Sequence, residues 1–492
     1  MTIAPQASAR DAVPADWDKY WGTPIPFHRK ELAALKAEFE RLASAVACSE
    51  ESAAFSHLVH PFTNRVRPVY RWFRYKEAFA PELAREIVGR LGAGDSGVVV
   101  DSFAGVATTQ LALQCDPRIQ RALGIEYSPL AHFIGETKIG WAELRADYLE
   151  KKVSEVLRFS RRTRVTIPEL TAFHDSEILP ENVALDLASA RDRIKEVSRG
   201  RVRDFLLLGL AAIVEDVSGA AKDGRALRIA RDRVRRSTSL AGEVGLTVRS
   251  ALRRQYGAML ADLRLLDEQR PAALQADVSH HRGDARDLEA ALLGEVGPQG
   301  VGLFAYSPPY LNCIDYTEVY KLELWLLEFV VNQKQFRDVR LGTLRSHPSV
   351  EFPARDYMVN ILGTHHEITY LVRAIASFVE RHHVRPVNGR TIWNYFDDMT
   401  KVLQQQYEYL EAGGHAVCVV ANSTFSRRDR QEDGTWCERW RLPILTDVII
   451  AHTAKAIGFE SADIWRARDL QPRNVLSGAA RESLIVMRKA SS

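Results

Sequence analysis

The sequence predicts an α/β fold with a parallel sheet that is interrupted by a large helical insertion. Short apolar runs alternate with helical stretches: residues 98–101 precede a helix that begins near Thr108, and residues 122–126 precede another. Such alternation is typical of parallel α/β sheets. Charged helical patterns replace it from about Trp141 to His280, which indicates the insertion. Strand patterns return at residues 301–306, 415–421, 462–465 and 483–487.

The segments around these runs complete the predicted organisation. Leu32, Leu35, Phe39 and Leu42 recur at helical spacing, so we expect one helix in an N-terminal lead-in that covers the core. A second excursion from the sheet pattern begins near residue 331. The predicted parts are the lead-in (1–60), a first core part (61–140), the helical insertion (141–280), a second core part (281–330), a second insertion (331–395) and a C-terminal core part (396–492).

The composition favours a globular protein of the cytoplasm. The 492 residues are 46% hydrophobic, enough for a large core, and a net charge of +3 leaves no global polycation to bind nucleic acid. The longest apolar run, residues 206–214, is far shorter than the roughly 20 residues of a membrane-spanning helix. The start of the chain lacks the pattern of a secretory signal. The five cysteines are scattered without zinc or disulfide spacing: Cys48, Cys115, Cys313, Cys418 and Cys437.

A turn of small residues follows the first predicted strand. It runs Asp101-Ser102-Phe103-Ala104-Gly105-Val106-Ala107-Thr108-Thr109 and leads into a helix. Small residues let a ligand approach the backbone. Glu126, at the end of the next strand, places an acid where it can accept hydrogen bonds from both ribose hydroxyls of a nucleoside. The pair outlines a nucleoside-cofactor site, although turns of this kind also occur without a ligand.

A more specific motif, Ser307-Pro308-Pro309-Tyr310, follows the predicted strand 301–306. Two prolines cannot continue a sheet ladder, so they hold a rigid loop at the carboxyl end of the strand, where α/β sheets bind ligands. An exocyclic amino group on a base is a poor nucleophile because its lone pair is delocalised into the ring. The Ser307 oxygen and the Pro308 carbonyl suit acceptance of both amino hydrogens, and Tyr310 suits stacking on an extruded base. A chance Pro-Pro turn is the alternative.

Together the two motifs resemble the amino-methyltransferase family that acts on adenine N6 or cytosine N4 of DNA. The hallmarks of that family are a Phe-x-Gly-x-Gly cofactor turn and an (Asp/Asn/Ser)-Pro-Pro-(Tyr/Phe/Trp) catalytic loop. The resemblance covers about 60–140, 281–330 and 396–490. It implies a Rossmann-like class I methyltransferase fold, with a mixed seven-stranded sheet and a terminal antiparallel hairpin. It also implies S-adenosylmethionine as cofactor and a base rotated out of the duplex.

The resemblance assigns site residues by their place in these motifs. The catalytic loop is Ser307, Pro308, Pro309 and Tyr310. Expected cofactor-binding residues are Phe79, Pro81, Asp101, Phe103, Gly105, Thr108, Thr109, Glu126, Tyr127, Asp284 and Ala285. One departure is Ala107, which stands where the family has its second glycine. The added methyl group would lie near the cofactor path, and we expect the site to tolerate it.

The choice of target rests on the first residue of the loop. Serine favours cytosine N4 over adenine N6, for which aspartate is commoner in the family. Carbon-5 methylation needs a Pro-Cys nucleophile, which this chain lacks, and Cys313 is interpreted as a packed small residue. Two alternatives stay open: guanine N2 methylation of transfer RNA, and a catalytically silent subunit that only binds DNA.

The insertion is the expected place of target recognition, on double-stranded DNA. Between Lys222 and Arg254 there are ten basic and three acidic residues. The candidates for phosphate contacts are Arg225, Arg228, Arg231, Arg233, Arg235 and Arg236. The alternative is a solvated helical face. A role in restriction-modification or phage defence, with a nuclease or defence partner, is left open.

Other chemistries lack their sequence signals. The chain has no phosphate-binding Gly-x-x-x-x-Gly-Lys-(Ser/Thr) loop. The pairs His280-His281, His365-His366 and His382-His383 lack a matching ligand set, so we expect no metal and interpret each pair as part of a solvated face.

Overall fold

The computed structural model describes residues 10–11, 21, 28–76, 78–161, 178–222, 227–229, 247–268, 274–312, 314–470 and 480–491. The strands within them are β1 Arg10–Asp11, β2 Ala47–Glu50, β3 Val98–Asp101, β4 Arg121–Glu126, β5 Ala220–Lys222, β6 Leu227–Ile229, β7 Asp277–Arg282, β8 Val301–Tyr306, β9 Leu410–Ala421, β10 Ser423–Arg430, β11 Trp436–Ile444, β12 Ser461–Leu470 and β13 Ala480–Arg488. The helices are α1 Arg29–Ser44, α2 Ser52–Phe55, α3 Pro81–Leu91, α4 Thr108–Leu113, α5 Pro129–Ile139, α6 Ala146–Val156, α7 Glu181–Val197, α8 Gly200–Ala212, α9 Val214–Val217, α10 Val248–Glu268, α11 Glu289–Leu292, α12 Tyr316–Val319, α13 Lys321–Leu326, α14 Gln333–Gly342, α15 Tyr357–Leu362, α16 Glu367–His382, α17 Val387–Tyr409 and α18 Thr446–Ile457. Short 3₁₀ turns cover Pro61–Arg65, Tyr70–Trp72 and Gly140–Glu143.

The central sheet has nine described strands in the order β1-β2-β12-β13-β9-β8-β3-β4-β7. Strands β7, β4, β3, β8 and β9 are parallel to their neighbours within this group. Strand β13 lies between β9 and β12 and is antiparallel to both. The seven strands from β12 to β7, with the antiparallel hairpin β12-β13 at one end, make the Rossmann-like class I methyltransferase fold, so that prediction is confirmed.

Helices cover both faces of this sheet. Val99 of β3 packs in a core that includes Leu83 of α3 and Leu113 of α4. Its neighbour Val100 belongs to the opposite core, which includes Val448 of α18. Because successive side chains of a strand point to opposite faces, a strand buried on both sides reads as a continuous apolar run. That is the pattern by which the sequence revealed β3.

The lead-in does more than cover the core. Its predicted helix is confirmed as α1, with Leu35, Phe39 and Leu42 buried. Strand β2 then pairs in parallel with β12, and β1 pairs antiparallel with β2. The lead-in therefore adds two strands to the edge of the sheet.

Two predicted boundaries fall inside regular elements. Residue 280 lies within β7, and residue 395 lies within α17. Strand β7 has one apolar residue, Val278, because it is the edge strand of the sheet and stays mostly accessible. The insertion between β4 and β7 is mainly helical, as predicted, and also holds the hairpin β5-β6.

Among the described helices, none combines the length and apolar character needed to cross a bilayer.

Candidate active site

A cavity opens at the carboxyl ends of β3, β4 and β8. The predicted cofactor residues that line it are Phe79, Asp101, Phe103, Gly105, Thr108, Glu126, Tyr127, Asp284 and Ala285. Ser307 and Pro309 of the predicted catalytic loop also line it. The other two predicted cofactor residues do not line the cavity. Pro81 is buried at the start of α3, and Thr109 donates a hydrogen bond to Asp101.

The turn after β3 brings the backbone to the cavity. Gly105 adopts a left-handed φ of 54°, and a Cβ added there would lie 3.6 Å from Tyr75 Cε1. Ala107 also has a left-handed φ, 63°, which costs an L-residue roughly 1 kcal/mol. Its methyl group is fully buried in the core that also holds Ile134 of α5, away from the cavity wall. The departure from glycine therefore adds backbone strain and leaves the cofactor path open.

Two carboxylates stand at the ends of β3 and β4. Asp101 accepts hydrogen bonds from the Thr109 hydroxyl at 2.6 Å and the Phe103 N–H at 3.0 Å. Glu126 accepts from the backbone N–H groups of Gly105 at 2.9 Å and Ser128 at 2.7 Å. Burial raises the pKa of each acid to about 7, and these donors oppose that rise. Glu126 thus presents a desolvated acceptor at the cavity wall.

The far wall of the cavity depends on a buried ionic network that the sequence did not reveal. Arg286 donates to Asp284 at 2.7 Å, to Asp398 of α17 at 2.9 Å, and to the Gly342 carbonyl at 2.6 Å. Arg345 donates to the other oxygen of Asp398 at 2.8 Å. The network fixes residues 342–347 of the second insertion against the cavity, which they partly line.

The Ser307-to-Tyr310 loop lies where this cavity meets a neighbouring cleft. The Ser307 hydroxyl donates to the Val419 carbonyl of β9 at 3.2 Å, which leaves the oxygen lone pairs as acceptors. The Tyr310 hydroxyl donates to Glu482 of β13 at 2.5 Å. Arg468 of β12 donates to the second oxygen of Glu482 at 2.6 Å. Strands β9, β12 and β13 therefore hold both side chains in place.

The neighbouring cleft is basic and aromatic. Its described lining includes one acid, Glu482, and six basic residues: Arg65, Arg71, Arg74, Lys76, Lys138 and Arg468. Tyr75 stacks on Tyr316 at 6.0 Å and on Tyr320 at 5.0 Å, and the first two of these rings line both the cleft and the cavity. Ser307 also lines both. The cleft was not predicted, because its lining comes from segments far apart in the sequence.

Several known proteins are similar to this chain. No protein-family model matches the chain. The chain is 25% identical over 313 residues to the type II methyltransferase M.BsoBI of Geobacillus stearothermophilus, covering 60% of this chain and 59% of that protein. It is 25% identical over 434 residues to the type II methyltransferase M.AvaI of Nostoc sp. strain PCC 7120, covering 80% of each. The rRNA methyltransferase AviRa of Streptomyces viridochromogenes aligns with a TM-score of 0.24 and 12% identity, over 84% of this chain and 86% of that one.

The chain is similar to type II methyltransferases. These relatives and the fold imply S-adenosylmethionine as the methyl donor. The residues of the cavity fit that group: Glu126 offers a half-buried acceptor for ribose hydroxyls, and Gly105 lets the ligand pass close to the backbone.

Most of the residues predicted to contact phosphates lie outside the described part of the chain. Arg225, Arg231, Arg233, Arg235 and Arg236 lie outside the described residues, as does Cys313. Arg228 is exposed on β6. Lys222, at the start of the basic stretch, is buried and pairs with Glu323 of α13, so it faces the interior.

The histidine pairs differ in their surroundings. His280 is only 4% exposed, so its interpretation as part of a solvated face is wrong; as a β7 residue it packs beside Gly124 and Gly135, where an added Cβ would come within 2.5 Å of its ring. Burial lowers the pKa of His280 to about 3. His365 is exposed, as predicted.

Among the described residues, one group of potential metal ligands lies outside the site. Ligand atoms of His28, Glu31 and His382 lie within 4.8 Å of one another. Arg381 also pairs with Glu31 at 3.4 Å, and its positive charge disfavours a cation there. The absence of a metal stays a prediction.

Proposed function

We propose that the protein transfers a methyl group from S-adenosylmethionine to the exocyclic amino group of a DNA base, with cytosine N4 as the favoured target. The main support for this proposal is the position of Ser307, which lines both the cavity that fits the cofactor and the basic cleft. Similarity to two type II methyltransferases supports a DNA substrate and a role in restriction-modification.

The cofactor, when bound, supplies an electrophilic methyl group on sulfur. Glu126 would hold the ribose through its carboxylate, and Asp284 and Ala285 would flank the adenine. Gly105 and Phe79 would enclose the remaining part of the molecule. Ser307 lines the same cavity, so the reacting methyl group would have to lie toward this residue for the proposed transfer.

Ser307 and Tyr310 would act on the target base. The Ser307 hydroxyl hydrogen is directed at the Val419 carbonyl, so its oxygen can accept a hydrogen bond from the amino group. Accepting amino hydrogens reduces delocalisation of the nitrogen lone pair into the ring and makes the nitrogen a better nucleophile. Tyr310 would stack on the base, with its ring angle set by the bond to Glu482.

The proposal includes rotation of the target base out of the duplex. The loop lies at the carboxyl ends of β8 and β9, within a recess that a stacked and paired base cannot enter. Arg65 and Arg74 of the cleft would provide favourable electrostatics for the phosphates beside an extruded nucleotide, whereas Arg71 and Arg468 pair with acids and Lys138 is buried. The basic stretch of the insertion stays a prediction for additional phosphate contacts.

The decisive experiment is nucleoside analysis by mass spectrometry of DNA and RNA from cells that express the chain, with a Ser307→Ala chain as the control. N4-methylcytosine that appears only with the parental chain is the expected result. N6-methyladenine would correct the target base. Methylated guanosine in transfer RNA, or methylation by neither chain, would overturn the proposal in favour of an RNA enzyme or a silent DNA-binding subunit.

A further inference from the structure

Two apolar side chains are exposed at the mouth of the basic cleft. Phe62 is 63% exposed and lies in the 3₁₀ turn Pro61–Arg65, while Val66, directly after it, is 72% exposed. The Phe62 ring stacks on His60 with centroids 3.6 Å apart, and His60 lines the cleft. A large aromatic ring is thus held at the edge of the recess that takes the base.

This turn is fixed to the active site. The Asn64 side chain donates a hydrogen bond to the Phe79 carbonyl at 3.0 Å, and Phe79 lines both the cavity and the cleft. Asn64 also lines the cleft itself. The position of Phe62 relative to the catalytic loop is therefore set by packing within the domain.

The charges around the ring are those that suit a polyanion. The Arg65 guanidinium lies 5.6 Å from the centroid of the Phe62 ring. Arg74 and Lys76 line the same cleft, and its one acidic residue, Glu482, is engaged by Tyr310 and Arg468. A single exposed ring among cations matches a nucleic-acid surface better than a broad apolar protein interface.

We propose that Phe62 is a wedge that enters the DNA base stack at the position left by the extruded target base, with Arg65 and Arg74 at the flanking phosphates. This inference rests on the proposed function. Extrusion removes stacking and pairing of one base, and an inserted apolar side chain restores part of the lost stacking. A wedge has to lie beside the recess that receives the base, which is where the His60 contact holds Phe62.

The test compares the parental protein with Phe62→Ala and with Tyr370→Ala, a control in which an equally exposed ring (71%) is removed from α16. Each is assayed in single turnover on a duplex that carries a site found methylated in the expressing cells, and on the same duplex carrying a mismatch opposite the target base. Phe62→Ala should lower the rate on the matched duplex about tenfold, as expected from the loss of base stacking on an aromatic ring. On the mismatched duplex it should lower the rate less than about threefold. Tyr370→Ala should match the parental protein on both.

A second measurement tests the charged rim. Arg65→Ala should lower the log-log salt dependence of duplex binding by about one unit, because each phosphate contact releases about one counterion. Cofactor affinity and melting temperature of all variants should equal those of the parental protein, which shows that folding is intact.

Three results would overturn the inference. Parental rates for Phe62→Ala on the matched duplex would refute the wedge role of Phe62 without affecting the proposed methylation. Equal losses on matched and mismatched duplexes would assign Phe62 a general structural role. A changed oligomeric state of Phe62→Ala by light scattering, with unchanged kinetics, would make the ring a protein contact. Failure of the parental protein to methylate any DNA would instead refute the proposed function itself.

Discussion

Replacing Glu126 with glutamine tests the cofactor site most directly. The carboxylate accepts the N–H groups of Gly105 and Ser128, one on each oxygen, and faces the cavity between them. Glutamine keeps the shape but turns one acceptor into a donor, so one backbone N–H and one ribose hydroxyl lose their partner. Hydrogen bonds to a charged group contribute about 1.5 to 3 kcal/mol, so affinity for the cofactor should fall roughly ten- to a hundredfold.

The same carboxyl group should make both stability and cofactor affinity depend on pH. Burial raises the pKa of Glu126 from 4.5 to about 7 in the folded protein. The folded state therefore binds more protons than the unfolded state between these values, and ionisation of Glu126 lowers stability as pH rises through about 7. The ionised form is the better acceptor, so cofactor affinity of the parental protein should rise over the same interval. Glu126→Gln should lose the pH dependence of cofactor affinity and weaken that of stability, part of which remains because burial also raises the pKa of Asp101 to about 7.

Calorimetric titration with S-adenosylhomocysteine at about pH 6 and pH 8 measures both effects, with thermal melting as the check on folding. Glu136→Gln is the matched control, because burial also raises the pKa of Glu136 on α5 but this residue lies outside the cofactor cavity. Unchanged affinity of a folded Glu126→Gln protein, or a loss equalled by the control, would refute the assignment of the ribose site.

The remaining predictions concern catalysis and stability. Ser307→Ala should slow single-turnover methyl transfer about a hundredfold at parental cofactor affinity, whereas Ser423→Ala, which removes a similar bond to a backbone carbonyl at 3.3 Å, should not. Tyr310→Ala should weaken productive capture of the base by about 1 to 3 kcal/mol, seen in the same assay; parental rates for both loop variants would refute the catalytic loop. Because burial lowers the pKa of His280 to about 3, the unfolded state binds more protons than the folded state below about pH 6.5, and the stability should decrease as the pH is lowered. His280→Leu should make this decrease smaller in urea titrations between about pH 7 and 5. Asp398→Asn should cost about 3 to 5 kcal/mol in urea unfolding, and a cost below 1 would contradict the role of the buried network.

The sequence revealed those parts of the site that follow a strand directly. Strand β3 and its turn were predictable because an apolar run precedes small residues that only a close backbone approach requires. Strand β7 was missed because an edge strand needs few apolar residues, so the turn with Asp284 was found by family resemblance alone. The partners of Tyr310 and Ser307, which are Glu482 and Val419, lie 172 and 112 residues further on. Contacts over such distances depend on sheet order, which local patterns do not specify.

The second insertion shows why sheet order alone also does not define the site. Its residues 342–347 complete the cavity wall, although they belong to no strand of the sheet. They are held there because Arg286 and Arg345 share the buried Asp398, while Arg286 also pairs with Asp284 and Arg345 with Asp397. Removing Asp398 takes a partner from two buried arginines, so the packing of α17 and the position of residues 342–347 should be disturbed together. Cofactor binding is therefore coupled to packing of an element that the catalytic motifs do not include.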